Sequence, residues 1–229
     1  MGFNVAIDGP AGAGKSTVAK AAAKKAGFIY VDTGAMYRAI GLYVLQNETD
    51  IHDEEAVCAL LPEIDISIRY EEGVQKIILN GADVSGLIRT QEVGEAASVT
   101  SAYQKVREKL LELQQNLAKT QDVIMDGRDI GTHVLSNADV KIYLTADAAV
   151  RAKRRYDELL GKGEDADLSE IEQEIRERDY RDMHREIAPL RQATDAVLLD
   201  TSDLNIEEAT DAVLQLIYEK KCPEGLTEN

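Results

Sequence analysis

Ile7-Asp8-Gly9-Pro10-Ala11-Gly12-Ala13-Gly14-Lys15-Ser16-Thr17 is the stretch whose reading decides the fold. The spacing Gly9-x-x-x-x-Gly14-Lys15-Ser16 describes a loop that wraps a chain of phosphates. Its glycines let successive backbone N–H groups turn inward, and the helix that follows adds the positive end of its dipole. Lys15 has the reach for the β- and γ-phosphates of a nucleoside triphosphate, and the Ser16 hydroxyl suits a Mg2+ ion bound to them. The context is the one this mechanism needs. An apolar run, Phe3 to Ile7, leads in, and an alanine- and lysine-rich helical stretch, Ser16 to Ala26, leads out and stops at Gly27.

Working outward, short apolar runs alternate with helical ones, the pattern of a parallel sheet covered by helices. Phe28–Val31, Val123–Met125, Val140–Leu144 and Ala196–Leu199 join Phe3–Ile7 as strands, and Gly34 to Leu45 reads as a second helix. The expected fold is α/β: a P-loop fold with a five-stranded parallel sheet flanked by helices. Two regions break the rhythm. From Ile64 to Glu71 apolar and polar residues alternate, Val74–Leu79 follows Gly73, and Asn80-Gly81 supplies a turn, which predicts a half-exposed antiparallel hairpin. Gly161 to Leu168 is an acidic, glycine-containing loop between two charged helices, either a mobile lid or a surface loop.

Composition narrows the class of ligand. With 229 residues, 44% of them hydrophobic, the chain can bury a core as one domain with inserts, and its net charge is -16. An acidic surface argues against nucleic acid polymers and anionic membranes, both of which need broad basic faces. Cys58 and Cys222 form no metal or redox spacing, the three histidines make no metal pattern, and no stretch approaches the length of a membrane span. A cytoplasmic protein is expected, with anionic ligands held by local arginine clusters.

Such clusters follow the strands. Asp32 to Arg38 comes after Val31, and Asp126-Gly127-Arg128-Asp129-Ile130-Gly131-Thr132 comes after Met125, on the sheet edge where ligands of parallel sheets bind. Arg38 and Arg128 are candidates to clamp an acceptor phosphate; the alternative is that they pair with Asp32 and Asp129. Arg178, Asp182 and Arg185 share one face if helical, either as a site or as a salt-bridged surface. Arg151 and Arg155, at i and i+4, are placed to fold over a triphosphate. Asp126 is the candidate to orient Mg2+ through water, the alternative being a turn or cap aspartate. The Asn-Lys-x-Asp base reader of GTPases is absent from the chain. A small-acceptor kinase is therefore favoured, against a kinase of another acceptor or a nucleotide-sensing module without catalysis.

The segments IDGPAGAGKST, VDTGAMYRA, RTQEVGEAAS, MDGRDIGT and RERDYRDMHREIAPL occur in this order and spacing between about Val5 and Glu208. Together they resemble the bacterial cytidylate kinase family of nucleoside monophosphate kinases. The resemblance implies phosphoryl transfer from ATP to CMP or dCMP with Mg2+ as cofactor, by a monomer acting on small molecules. It implies that Gly9, Pro10, Ala11, Gly12, Ala13, Gly14, Lys15, Ser16 and Thr17 hold ATP, with Arg151 and Arg155 as lid arginines. Arg38 and Arg128 would hold the CMP phosphate, and Thr33, standing where some relatives have serine and keeping its hydroxyl, would belong to the CMP site. Ser98, Arg107 and Asp129 would read the base, and Arg178, Asp182 and Arg185 would serve sugar and phosphates. Lys15, Arg128 and Arg155 would supply the catalytic charge, and Ser16, with Asp126 through water, the metal oxygens. The family also implies a monophosphate-binding insert at about 36–105 and a lid at about 156–170, and residues 222–229 read as a flexible tail. Cytosine donates from N4 and accepts at O2 and N3, whereas uracil turns O4, an acceptor, towards the carboxylate and presents N3–H to a donor, so CMP is expected over UMP.

Overall fold

The protein is described by a computed structural model over residues 2–222; the tail expected at 222–229 lies, from residue 223, outside the described residues. In chain order the elements are β1 (Asn4–Asp8), α1 (Lys15–Ala26), β2 (Ile29–Asp32), α2 (Thr33–Gln46), α3 (Glu54–Leu60), β3 (Ile66–Glu71), β4 (Val74–Leu79) and β5 (Ala82–Asp83). There follow α4 (Gln91–Thr100), α5 (Gln104–Lys119), β6 (Val123–Gly127), β7 (Val140–Thr145), α6 (Ala148–Gly161), α7 (Leu168–His184), β8 (Val197–Asp200) and α8 (Ile206–Lys221). Contacts divide the chain into two compact units, one running from Gly2 to Tyr30 and resuming at Asp122, the other Val31–Gln121. Among the described residues no helix is long and apolar enough to cross a membrane.

The first unit carries the parallel sheet, in the order β2-β6-β1-β7-β8. β1 is central and hydrogen-bonded on both sides, so Val5, Ala6 and Ile7 are fully buried, which is why this strand reads as an unbroken apolar run. One face is packed by α1 and α8: Val18, Ala19, Ala22 and Ala23 meet Val213, Leu214 and Ile217 in a core with Ile124, Ile142 and Leu144. Each valine, leucine or isoleucine side chain there contributes roughly 1.5–3 kcal/mol on burial. The register sets the site: Ile7 lies beside Asp126 and Asp8 beside Gly127, so the glycine loop after β1 and the Arg128-Asp129 segment after β6 leave the sheet side by side. The strand read at Ala196–Leu199 is displaced by one residue and is an edge strand, with Val197 and Leu198 exposed.

In the second unit, Asp32 caps α2, accepting the N–H of Ala35 at 2.9 Å, and Thr90 caps α4. These two helices cross closely through small residues; a methyl group on Gly41 would stand 2.8 Å from the backbone nitrogen of Ala97. The expected hairpin is present, with Ile66 opposite Leu79 and Glu71 opposite Val74, and β3 is half-exposed as its alternation requires. Asn80-Gly81 does not end the hairpin. With φ of 48° and 86° it turns the chain back into β5, a third antiparallel strand that two residues were too short to announce. The Gln75 side chain bonds both the N–H and the C=O of Asp32, and Arg89 pairs with the Asp32 carboxylate at 2.9 Å.

Candidate active site

In the parallel-sheet unit the loop between β1 and α1 begins at Gly9, with φ of 150°. A Cβ there would lie 1.9 Å from the carbonyl oxygen of Leu144 on β7, so only glycine lets the chain leave β1 along this path. α1 then starts from Gly14 with Lys15 as its first residue. Lys15 is 6% exposed, and its ammonium donates to the Pro10 carbonyl at 2.6 Å. Burial, and then the charge of Arg128, hold its pKa well below the usual lysine range. The Ser16 hydroxyl donates to Asp126 Oδ2 at 2.7 Å, and Tyr30 donates to Asp126 Oδ1 at 3.1 Å, so the buried carboxylate closes β6 directly beneath the start of α1.

Ion pairs tie α7 to this edge. Arg128 Nε donates to Asp182 at 2.8 Å, Arg151 pairs with Asp179 at 2.7 Å, and Arg185 approaches Asp129 at 3.4 Å. The sequence placed Arg178, Asp182 and Arg185 on one helical face. The helix in fact ends at His184, and Arg185 is extended, bonding the Ala188 carbonyl while reaching Asp129. Arg178 and Arg185 still surround Asp182: burial opposes its charge, but with Arg128 they hold its carboxyl below the ordinary value. Burial likewise opposes the Arg128 charge and is outweighed by Asp182, Asp126 and Asp179. Asp182 takes Arg128, and Arg89 takes Asp32.

Arg151 and Arg155 differ from each other. Arg151 is 5% exposed and built into the unit: Nη1 donates to the Ala11 carbonyl and Nε to Ala146, both at 2.8 Å. Arg155 is 40% exposed and pairs with Glu158 at 3.0 Å. Asp179 receives the Ala11 N–H at 3.3 Å and pairs with Arg151, which in turn donates to the Ala11 carbonyl, so the two side chains together grip both backbone polar groups of this loop residue. The signal of Asp179 is hidden in a helix where nine of 17 residues are charged.

In the Val31–Gln121 unit, Thr33 is buried at the first position of α2. One turn on, Arg38 Nη1 donates to the carbonyls of Ile88 at 3.2 Å and Thr90 at 3.5 Å. Arg107 is 5% exposed on α5; it donates to Ser101 at 3.0 Å and lies 5.6 Å from the ring centre of Tyr37, next to Arg38 in sequence. Ser98, on α4, is half-buried, and its carbonyl takes the Ser101 hydroxyl. Arg38, Arg107 and Ser98 thus belong to one helical cluster, α2 with α4 and α5.

The sequence profile of cytidylate kinase matches residues 5–219. The chain belongs to the cytidylate kinase family. The cytidylate kinase of Caldicellulosiruptor bescii is 53% identical over 216 residues, covering 94% of this chain and 96% of that one. That of Lactobacillus gasseri is 52% identical over 219 residues, covering 96% and 95%. Among solved structures, an uncharacterized protein from Eubacterium ventriosum superposes with a TM-score of 0.51 at 12% identity, covering 94% of this chain and 98% of that one, a likeness of fold alone.

This cytidylate kinase family member also carries a carboxylate that the motif reading left without a role. Asp8, at the end of β1, is 4% exposed, and its two oxygens accept the N–H groups of Ile130 and Gly131, each at 2.7 Å. It clips the root of the phosphate loop to the peptide that follows Asp129. A charged residue closing an otherwise apolar central strand was the available signal. Burial raises its pKa from 3.8 to about 6, with Asp129 adding to the rise and the two N–H groups and Lys15 opposing it. A raised carboxyl contributes stability fully below pH 3.8 and loses it as pH climbs through 6. The displacement corresponds to about 3 kcal/mol. The stability of the protein minus that of Asp8→Asn is expected to fall by about that amount between pH 4 and pH 7. Urea unfolding at stepped pH measures it; parallel curves for the two proteins would refute the expectation.

Proposed function

We propose that the protein transfers the γ-phosphoryl group of ATP to CMP and dCMP by direct in-line displacement, yielding CDP and dCDP. The observation that supports this reading best is the placement of Lys15 and Ser16 beside Asp126, Arg128 and Asp129 at adjoining strand ends, in a chain of the cytidylate kinase family. In this reading Gly9 to Thr17 bind the triphosphate, Arg38 and Arg128 take the CMP phosphate, and Thr33 lies at the same helix start. Ser98, Arg107 and Asp129 read cytosine, with Asp129 and Ser98 accepting from N4 and the Arg107 fork donating to O2 and N3. Arg178, Asp182 and Arg185 serve the sugar and phosphates. Segment 36–105 acts as the monophosphate-binding insert and 156–170 as the lid, which brings Arg155 to the triphosphate. The enzyme acts as a cytoplasmic monomer on small nucleotides.

An acceptor phosphate is already a nucleophile, so catalysis is positioning and neutralisation of charge rather than proton abstraction. Lys15 and Arg128 supply fixed positive charge in a place from which water is largely excluded, Lys15 itself being buried. The Ser16 hydroxyl and the Asp126 carboxylate form a pair of hard oxygen donors that suits Mg2+, an ion that keeps several waters and binds through few protein groups. Ser16 would hold it directly and Asp126 through water; when bound, the ion neutralises phosphate charge. Arg151 and Asp179 hold the Ala11 backbone, and so the shape of the cradle, and Arg151 joins Arg155 at the triphosphate.

Purified protein with ATP and Mg2+ in a coupled ADP assay tests the reading with CMP, dCMP, UMP and AMP as acceptors. CMP and dCMP are expected to turn over, with kcat/KM for CMP ~10³ above that for UMP, because two buried contacts are mismatched by uracil. Equal use of CMP and UMP, or of AMP, would sink it.

A further inference from the structure

We propose that Gly94 is a positioning residue for the acceptor phosphate: the side chain it lacks is the seat on which the Arg38 guanidinium lies. The inference rests on the reading of Arg38 as a phosphate ligand and adds what holds that arginine in place. A Cβ on Gly94 would stand 2.9 Å from Arg38 Nη1, 3.2 Å from Nη2 and 3.4 Å from Cζ. These three atoms are its nearest neighbours outside its own helix, and with Cζ the farthest of them the glycine faces the Nη1–Nη2 edge of the guanidinium. Nη1 is also held by the carbonyls of Ile88 and Thr90, and Thr90 accepts the Gly94 N–H at 3.1 Å. Arg38 therefore docks where the chain enters α4, its Nη edge against Gly94 and its Nη1 on the carbonyls of Ile88 and Thr90.

The helix itself gives no reason for glycine here. Gly94 lies within α4 and has no positive φ to call for glycine, a setting in which glycine is disfavoured against alanine by its backbone entropy. Gly41, across the same helix pair, makes the contrast. There a Cβ would meet backbone, Ala97 nitrogen at 2.8 Å and Ala96 carbon at 3.2 Å, so that glycine is demanded by packing. At Gly94 the obstructing atoms are the far end of a mobile side chain, which yields by shifting. Alanine at 94 is thus compatible with the fold and incompatible with the present position of Arg38.

Removing one charge-assisted contact costs on the order of 10- to 100-fold in affinity, and a guanidinium pushed aside by a fraction of an ångström forfeits part of that. Gly94→Ala is expected to raise the KM for CMP roughly 5- to 20-fold while kcat and the KM for ATP stay within about twofold. Its melting temperature is expected to hold or rise, whereas Gly41→Ala lowers it. In an Arg38→Ala background, Gly94→Ala is expected to leave the KM for CMP unchanged, since the effect runs through Arg38. A Gly94→Ala protein that melts lower, or that raises the CMP KM equally with and without Arg38, overturns the proposal. If Arg38→Ala raises the KM and Gly94→Ala does not, the proposal alone falls. If Arg38→Ala leaves the KM untouched, the reading of Arg38 falls and takes the proposal with it.

Discussion

Lys15→Met is expected to lower kcat by ~10²–10³ while leaving the KM for CMP nearly unchanged, because a fixed cation at the transferring phosphoryl acts mainly in the transition state. Lys15 is 6% exposed, its ammonium is held on the Pro10 carbonyl at 2.6 Å, and desolvation together with Arg128 drives its pKa well down. Without a triphosphate the charge is therefore a cost to the fold. Phosphate oxygens in the cradle reverse that cost, and charge developing between donor and acceptor reverses it further. The same residue should destabilise the free protein and accelerate the reaction, a trade common at functional sites. Lys15→Met is accordingly expected to melt no lower than the parent protein in the absence of nucleotide, and to lose most of the stabilisation that ATP confers. Differential scanning fluorimetry with and without ATP, beside steady-state kinetics, reads both halves. A kcat within tenfold of the parent would remove Lys15 from the catalytic role.

The parts of the molecule legible in the sequence are those where one physical demand dominates. The centre of the sheet is one: Val5-Ala6-Ile7 must be apolar on both faces, and the Gly9–Ser16 loop must bend where a side chain would strike Leu144. The β3 alternation is another, since half-burial of Ile66, Ile68 and Tyr70 leaves no other pattern open. Illegible were features that depend on which partner a charge selects. Arg128 had Asp126, Asp129, Asp179 and Asp182 to choose among, and nothing in the spacing says that Asp182 wins; the fold decides by bringing α7 to the end of β6. The same holds for Arg151, which its spacing groups with Arg155 over the triphosphate and which the fold buries against the Ala11 carbonyl and Asp179. Asp8 was overlooked because its acceptors' partners, Ile130 and Gly131, lie more than a hundred residues along the chain and offer only backbone N–H groups, which leave no trace in side-chain pattern.

Asp129→Asn is expected to reduce the preference for CMP over UMP from ~10³ to roughly 10, chiefly by loss of CMP and partly by gain of UMP. A carboxylate only accepts; it suits the N4 amino group of cytosine and repels O4 of uracil. An amide of the same shape offers both a donor and an acceptor, so it serves either base. The substitution is clean because the backbone around it is held from elsewhere. The Asp129 carbonyl accepts the N–H groups of His133 at 2.9 Å and Val134 at 3.1 Å, and Asp8 grips the next two peptides. The cost falls on Arg185, which faces Asp129 at 3.4 Å with both side chains nearly buried. Arg185 keeps the Ala188 carbonyl and the neighbouring charge of Asp182, so the loss of stability should be about 1–3 kcal/mol rather than that of a stranded ion. Specificity and stability can thus be separated in one protein. Ratios of kcat/KM for CMP and UMP, measured below the melting transition, report the base contact, and thermal unfolding reports the Arg185 pair. A lowered melting temperature with an unchanged CMP preference would leave Asp129 an anchor for Arg185 and move the reading of the base to Ser98 and Arg107.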